Sequence, residues 1–346
     1  MRLDKPSSIV RNPAPLSEDY IPLNFPGREK HHKELTATLI AGFKKQIPAH
    51  VWIHGQPGSG KSSIIRKVLC HLEEQRIKTA YVNCWTSQTF FSVLETIIQE
   101  LRALVGEKRE ITYKFERLSR ISKDNPLAIT LDEIDQLFLK DRNATLYNLS
   151  RLKNVCLISL NQSRQPFLSL DTRVQSRLQP HFIEFPRYSN KHLLQILEER
   201  AQESLETEAW CRKDLEKIVE SSQGDARIAI QTLRIAAYNA ESDNASHIRE
   251  NDIEQGFLKS SELRKQYLLK TLSEHHRLLY QIVKENEGIS SATLWTRYNN
   301  HAKKYNLESM ARRTFNHYKL ALLRNKLLNE IQGKGRRNQR VLKVVE

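Results

Sequence analysis

The stretch Gly55-Gln56-Pro57-Gly58-Ser59-Gly60-Lys61-Ser62 fits the phosphate-binding loop pattern G-x-x-x-x-G-K-[ST] at every fixed position. Residues 50–54 before it read as a short buried strand, and residues 61–74 after it read as an apolar helix. Glycines let backbone N–H groups come close to phosphate oxygens, and the N-terminus of the helix attracts the same anion. The stretch therefore predicts a nucleotide site within a unit of strand, loop and helix.

Within this loop the pattern assigns different roles to the side chains. Lys61 is expected to neutralise the outer phosphates, and the Ser62 hydroxyl to hold a magnesium ion. The other interpretation, a glycine-rich turn with a chance lysine, does not account for the strand and helix on either side. The predicted nucleotide contacts of the loop are Gly55, Gly58, Ser59, Gly60, Lys61, Ser62 and Ser63.

The charge of the chain is uneven. Over 346 residues the formal net charge is +15, and residues 264–346 hold 18 Lys and Arg against 6 Asp and Glu, a net +12 in the last quarter. Such a concentration of positive charge is typical of a module that binds a polyanion, and it favours nucleic acid.

Several classes of protein are disfavoured by the composition. No apolar run approaches the ~20 residues of a membrane helix, and no secretory signal follows Met1, so we expect a cytoplasmic, nucleoid-associated protein without a membrane partner. The four cysteines are widely spaced, without a zinc-binding pattern, and read as small buried side chains.

Short apolar strands alternate with helices through the first half of the chain, which predicts an α/β fold with a parallel five-stranded sheet covered on both faces. Ligands bind such sheets at the carboxyl ends of the strands. Asp132 and Glu133 directly follow the third strand, so we expect Asp132 to reach the magnesium ion and Glu133 the attacking water. The predicted strands are 50–54, 78–83, 127–131, 155–160 and 181–185.

After residue 186 the pattern becomes helical. Helices predicted at 189–204, 208–221, 225–240 and 250–258 suffice for a small α-helical lid. Helices at 265–286, 291–304 and 308–326, then strands at 327–332 and 339–345, outline a winged helix-turn-helix. The predicted domains are a nucleotide-binding domain with an N-terminal arm at 1–187, a lid domain at 188–262 and a winged-helix domain at 263–346.

The last predicted helix has the side chains of a DNA-reading helix. Arg312, Asn316 and Lys319 fall at i, i+4 and i+7, with Arg313 beside them, and such a helix can present arginine and asparagine to bases in the major groove. The tip between the two strands adds cations for phosphates or the minor groove, namely Lys334, Arg336 and Arg337. A solvated basic face is the alternative for this helix. Residues 85–91 follow the second strand and are a further candidate DNA contact, for which the alternative is that Phe90 and Phe91 belong to the core.

Further motifs give the chain a resemblance to the AAA+ ATPases. Asn161 ends the fourth strand and matches the family's sensor 1, and Arg227 in Gly224-Asp225-Ala226-Arg227 matches its sensor 2. More narrowly, the chain resembles the archaeal origin-recognition and cell-division-control initiator family, through motifs that run along nearly the whole chain. They are Ile9-Val10-Arg11-Asn12, Pro26-Gly27-Arg28-Glu29, residues 170–178, Phe185-Pro186-Arg187-Tyr188 and Gly224-Asp225-Ala226-Arg227.

This resemblance implies ATP or ADP with Mg²⁺ as ligands, and weak ATP hydrolysis that acts as a switch. It also implies nucleotide contacts by Tyr188, Arg200 and Val10, although Tyr188 equally suits a hinge-packing aromatic. The partners it implies are double-stranded DNA at a replication origin, the replicative minichromosome maintenance helicase and other initiator subunits. Ser176-Arg177 resembles the pair with which clamp-loader subunits offer an arginine finger to a neighbour, and a surface salt bridge is the alternative for Arg177.

Two other functions are compatible with the same motifs. One is a loader or remodelling enzyme of a mobile element, for which we expect fast, DNA-stimulated hydrolysis. The other is a nucleotide-sensing transcription regulator, for which we expect binding at promoters.

Overall fold

The strand that leads into the phosphate-binding loop lies inside a five-stranded, fully parallel sheet, which confirms the predicted fold class. Every residue of this strand and of its neighbour β4 is buried, as expected for a sheet covered on both faces. The spatial order is β2-β3-β4-β1-β5. The strands are β1 Val51–Gly55, β2 Lys78–Asn83, β3 Leu127–Asp132, β4 Val155–Asn161 and β5 His181–Phe185.

The computed structural model describes residues 9–45, 47, 49–103, 110–272, 274–304, 307, 310–324, 327–332 and 340–345. By its contacts the chain divides into two units, Met1–Phe257 and Leu258–Glu346. The sheet and the lid helices both belong to the first unit. The finer division into three domains stays a prediction.

Helices cover both faces of the sheet. On one face Leu35 and Leu39 pack with Ile64, Ile65 and Val68 over the inner strands. The other face is covered largely by helices that follow β2, β3 and β4. The helix at 139–149 was not predicted, because its charged and amide residues give it little apolar periodicity. These helices are α1 Glu29–Lys44, α2 Lys61–Glu74, α3 Phe90–Glu100, α4 Ile111–Asp124, α5 Leu139–Leu149, α6 Gln165–Leu168 and α7 Thr172–Leu178.

The lid has a hydrophobic core of its own, and the N-terminal arm contributes to it. Ile9 and Leu16 from the arm are 2% and 1% exposed within that core. Val10 pairs with Leu205 in an isolated antiparallel bridge, and the Arg11 N–H donates to the Ser204 carbonyl at 2.8 Å. The arm therefore packs on the lid, although it precedes the sheet in the chain. The lid helices are α8 Asn190–Ser204, α9 Arg212–Ser222, α10 Ala226–Ser242 and α11 Glu250–Thr271, the last of which continues into the second unit.

The described residues of the second unit form a winged-helix fold, in which three helices after α11 combine with a small antiparallel sheet in the order β6-β8-β7. Tyr298, Phe315, Leu279 and Leu342 are fully buried in its core. The long helix predicted at 265–286 is instead divided, since α11 ends at Thr271 and a new helix begins at Glu274. The elements are α12 Glu274–Glu285, β6 Ile289–Ser290, α13 Ser291–Lys304, α14 Arg312–Arg324, β7 Leu328–Gln332 and β8 Arg340–Val344.

Within the described ranges, none of the helices combines the length and the apolar character that a bilayer-spanning segment needs.

A buried histidine at the start of β1 makes the stability of the first unit depend on pH. His50 is 8% exposed, and its Nδ1 accepts a hydrogen bond from the Leu157 N–H at 3.2 Å. Burial and, to a lesser extent, the nearby charge of Arg177 lower the pKa of His50 from 6.5 to about 4. The unfolded chain therefore binds more protons than the folded chain between these two pH values.

We expect the free energy of unfolding to be fully retained above pH 6.5 and to fall by about 3 kcal/mol from this group as pH drops to 4. Urea denaturation at pH 7.5, 6 and 5 measures the slope. His50→Asn keeps an acceptor near the Nδ1 position without titrating, so its slope should be shallower. Equal slopes for the two proteins would contradict the assignment.

Candidate nucleotide site and nucleic-acid interface

A cavity of about 280 Å³ lies between the carboxyl ends of the strands and the lid. The phosphate-binding loop, the residues that follow β3 and β4, the lid helices α8 and α10, and arm residues 16–21 form its walls. Most of the predicted site residues meet here. Those that line the cavity are Gly58, Gly60, Lys61, Ser62, Ser63, Asp132, Glu133, Asn161, Arg200 and Arg227.

The backbone of the loop forms a cradle that side chains would fill. Gly58 and Gly60 have φ values of 73° and 85°, in the region that favours glycine. A Cβ at Gly58 would lie 1.9 Å from Asp225 Oδ1, and a Cβ at Gly60 would lie 2.3 Å from the Tyr188 hydroxyl. The loop, together with the first turn of α2, therefore suits the phosphates of a nucleotide.

The side chain of Lys61 folds back onto the phosphate-binding loop. Its Nζ donates to the carbonyls of Gly55 and Gln56 at 2.7 and 3.0 Å. Burial lowers the pKa of Lys61 to about 8, against the opposing effect of Asp132 and Glu133. The lysine is thus positioned at the loop as a cation for phosphate, which is the role that the pattern predicts.

Ser62 and Asp132 meet as predicted for a magnesium site. The Ser62 Oγ donates to Asp132 Oδ2 at 2.9 Å, and the Tyr81 hydroxyl donates to the same oxygen. The described part of the chain contains no group of three or more acidic, histidine or cysteine ligands. One hydroxyl and one carboxylate fit Mg²⁺, which usually takes its remaining ligands from phosphates and water.

Glu133 has the electrostatics of a general base. Burial, together with the charges of Asp132 and Asp135, raises the pKa of Glu133 to about 7. Its backbone is left-handed, with φ 53°, a conformation that is uncommon for residues other than glycine and that concentrates at functional sites. A carboxylate that titrates near neutral pH can accept a proton from water.

Asn161 is held by two hydrogen bonds. Its Nδ2 donates to Asp135 Oδ1 at 3.2 Å, and its Oδ1 accepts from the Ser163 N–H at 2.9 Å. The turn that carries Asp135 is anchored by the buried Arg142, which donates to the carbonyls of residues 134, 135 and 137. The side chain predicted as sensor 1 therefore has a fixed orientation at the cavity wall.

Both lid arginines predicted as site residues, Arg200 and Arg227, line the cavity. Arg227 lies in the first turn of α10, where Asp225 accepts hydrogen bonds from the backbone N–H groups of Arg227 and Ile228 at 3.0 and 3.2 Å. Arg200 on α8 donates to the Pro15 carbonyl, and its guanidinium lies 4.4 Å from the Tyr20 ring centre. Arg200 thus links the lid to the arm at the cavity wall.

Tyr188 is 6% exposed and does not line the cavity, although its hydroxyl lies against Gly60. The guanidinium of the buried Arg28 lies 4.1 Å from the Tyr188 ring centre and donates to the Ser59 and Pro186 carbonyls. This cluster joins the phosphate-binding loop to the start of the lid. Both interpretations of Tyr188, hinge packing and nucleotide contact, are compatible with this position.

Besides Tyr188, four predicted residues of the nucleotide site lie outside the set that lines the cavity. The backbone of Val10 pairs with Leu205 and reaches Glu241 Oε1 at 3.4 Å. Gly55 and Ser59 belong to the loop, but the Ser59 side chain is buried. Arg177 is exposed on α7, and an arginine finger for another subunit would need such exposure.

Sequence reasoning missed several residues of this site. Tyr81 and Arg234 line the cavity, and Asp135 holds Asn161. Arg234 follows Arg227 by seven residues, two helical turns, and this spacing could have indicated it. Asp135 lies two positions after Glu133, but nothing in the sequence alone shows that it contacts the fourth strand.

On α14, Arg312, Arg313 and Asn316 are exposed, as a DNA-reading helix requires. Lys319 differs from the expectation, because its side chain is only 14% exposed. It donates to Ser291 Oγ at 3.2 Å and lies 3.6 Å from Glu330. Lys319 therefore stabilises the second unit and is not available to phosphate in this arrangement.

The other predicted nucleic-acid contacts are three cations within residues 333–339 and the segment 85–91. Lys334, Arg336 and Arg337 lie outside the described residues. In the segment 85–91, Phe90 packs against the sheet core, whereas Phe91 is 39% exposed with Lys114 Nζ 4.1 Å from its ring centre.

Gly60 permits a test of the cradle. We expect Gly60→Ala to weaken ADP binding at least ten-fold, since the added Cβ would meet the Tyr188 hydroxyl and strain the loop. Gly288→Ala is the matched control, because Gly288 has a similar φ of 81° with nothing within 4 Å of an added Cβ. It should lower stability by about 1 kcal/mol and leave ADP binding unchanged. Calorimetric titration measures both, and equal losses of affinity would rule out the local clash as the cause.

Comparison with known proteins agrees with this geometry. Residues 24–158 match the family model of the AAA ATPase domain, and residues 194–257 match that of the Cdc6 AAA+ ATPase-type lid domain. "ORC1-type DNA replication protein 9" of Halobacterium salinarum is 26% identical over 85% of this chain and 84% of its own length. The "ORC1-type DNA replication protein" of Pyrococcus abyssi is 27% identical over 83% of this chain and 74% of its own length.

Among solved structures, the Aeropyrum pernix ORC1 protein in complex with DNA has the same fold, with a TM-score of 0.75 and 24% identity over 98% of this chain and 94% of that chain. The Aeropyrum pernix ORC2 protein in ADPNP and ADP complexes follows at a TM-score of 0.67 and 18% identity, over 97% of this chain and 94% of that chain. With the phosphate-binding loop, the lid and the winged helix in place, the chain has an AAA ATPase domain and a Cdc6-type lid, and along most of its length it is similar to the archaeal ORC1-type replication proteins.

Proposed function

We propose that this AAA+ protein is an ATP-dependent replication initiator that holds origin DNA through its winged helix and uses ATP binding and slow hydrolysis as a switch. One observation carries the proposal: the proposed metal and base carboxylates of the sheet and three lid arginines line the same cavity. A bound nucleotide would contact both sides, so its phosphates can influence how the lid is held. The names of the relatives support the replication role.

The residues of the cavity suggest how hydrolysis proceeds. Glu133 accepts a proton from the attacking water, Asn161 orients that water, and Arg227 stabilises the charge on the outer phosphate. Ser62 and Asp132 would hold the magnesium ion, which supplies charge neutralisation at the phosphates. Because the Asn161 amide already bonds to Asp135, we expect slow turnover, as the resemblance to the initiator family implies.

The DNA-binding role rests on the second unit. Arg312, Arg313 and Asn316 are exposed on one helix, within the part of the chain that has a net charge of +12. The similar ORC1 protein of Aeropyrum pernix was solved in complex with DNA. We infer that α14 enters the major groove of duplex DNA, with the cations of residues 333–339 adding phosphate contacts.

Recruitment of the replicative minichromosome maintenance helicase, assembly with other initiator subunits and association with the nucleoid are further parts of the proposal. The exposed position of Arg177 is compatible with a role at a neighbouring subunit's nucleotide. The mobile-element loader and the transcription regulator remain as alternatives that the experiments below distinguish.

Glu133→Gln should abolish ATP hydrolysis and leave ATP binding within about two-fold, because the amide keeps the shape of the side chain but cannot accept the proton. In the native protein, the single-turnover rate should rise with pH through about 7, as Glu133 becomes ionised. The exposed Glu208→Gln serves as the control and should retain both properties. A Glu133→Gln protein that still hydrolyses ATP at the native rate would exclude Glu133 as the base.

Arg312→Ala with Arg313→Ala should reduce affinity for duplex DNA about 100-fold and lessen its salt dependence. Arg151→Ala with Lys153→Ala removes the same charge from exposed positions of the first unit and is the matched control. Footprinting at several salt concentrations and genome-wide occupancy measure the effect. Occupancy at a few sites where replication starts supports the initiator, whereas even coating or promoter binding supports the loader or the regulator.

A further inference from the structure

The carboxylate predicted to hold magnesium is itself held by two hydroxyl groups. The Ser62 Oγ and the Tyr81 hydroxyl both donate to the same oxygen, Asp132 Oδ2. Ser62 belongs to the first turn of α2, whereas Tyr81 lies in the middle of the edge strand β2, paired with Thr130 of β3. Asp132 is therefore fixed from two separate elements.

Tyr81 is well placed to keep this bond. Its ring packs at the edge of the sheet core, and its side chain forms part of the cavity wall. The guanidinium of Arg66 lies 5.4 Å from the ring centre and reaches Asp19 of the arm at 3.4 Å. Burial and the charge of Asp132 raise the pKa of the Tyr81 phenol well above its usual value, so the hydroxyl stays a donor at any working pH.

We propose that Tyr81 is a positioning residue for the magnesium site, which orients Asp132 so that the carboxylate is pre-arranged to bind the ion. This inference rests on the proposed function, since it assumes that a magnesium nucleotide binds in the cavity. The physical reason is that a carboxylate without such partners rotates freely. The rotational freedom that it loses when it binds an ion weakens its affinity for that ion. Groups that orient metal ligands in this way typically contribute 10- to 100-fold to metal affinity.

A purely structural role for the hydroxyl makes a different prediction. If Tyr81 bonded to Asp132 only because both groups need partners in a partly buried place, removing the hydroxyl would lower the melting temperature and leave magnesium binding unchanged. The dependence of nucleotide affinity on magnesium therefore separates the two roles.

Tyr81→Phe in the full chain removes the hydroxyl and keeps the ring beneath Arg66. The affinity for a fluorescent ADP analogue is first measured with EDTA present. Mg²⁺ is then titrated at a fixed concentration of the analogue. We expect magnesium-free affinity within two-fold of the native value and a Mg²⁺ midpoint at least ten-fold higher. Tyr147→Phe, at a 37% exposed tyrosine outside the cavity, is the matched control and should behave as native.

An unchanged Mg²⁺ midpoint in Tyr81→Phe would overturn the proposal, even if its melting temperature falls. A second hydroxyl-free variant, Tyr81→Leu, repeats the test if the first does not fold. Asp132→Asn identifies which assumption fails: if it also leaves the midpoint unchanged, Asp132 is not the metal ligand, and the proposed site is wrong. If the native protein does not bind the ADP analogue, the proposed function itself is refuted.

Discussion

The close approach of lid residues to the phosphate-binding loop is the constraint on which the rest of the first unit depends. Gly58 lies against Asp225, Gly60 lies against Tyr188, and neither position has room for a side chain. The Ala226 N–H also donates to the Gly58 carbonyl at 3.1 Å. The loop is thus shaped by contacts from the helical lid as well as by its own glycines. These contacts join the loop directly to residues more than 100 positions later in the chain.

The order of the strands explains why the chemistry gathers at one edge. In a parallel sheet the last residues of all strands lie on the same side, and here β4 lies between β1 and β3. Asp132 at the end of β3 and Asn161 at the end of β4 therefore meet the loop that follows β1. Tyr81 lies in the middle of the edge strand β2, and this position explains why a residue outside any recognisable motif contacts the Asp132 carboxylate.

The sheet, the loop, the carboxylates and the winged helix could be predicted from the sequence because each follows from a short local pattern. The position of the Lys319 side chain could not be predicted, because the periodicity of α14 is the same whether the lysine faces DNA or Glu330. Only the position of β7 decides between the two. The contact between Asp135 and Asn161 likewise joins two separate elements, the turn after β3 and the end of β4. The end of α11 at Thr271 could not be predicted either, because no glycine or proline lies between it and the start of α12.

The arm that enters the lid core has a consequence for how the first unit folds. Ile9 and Leu16 complete a core whose other members come from residues 188 to 253, so the lid joins chain segments separated by almost the whole unit. Contacts of such long sequence separation form slowly, because the loop between them must be closed first. A growing chain would therefore hold its N-terminal arm without a partner until the lid helices emerge. The lid core is therefore completed by a segment that precedes the sheet in the chain, so we expect a lid without the arm to be less stable.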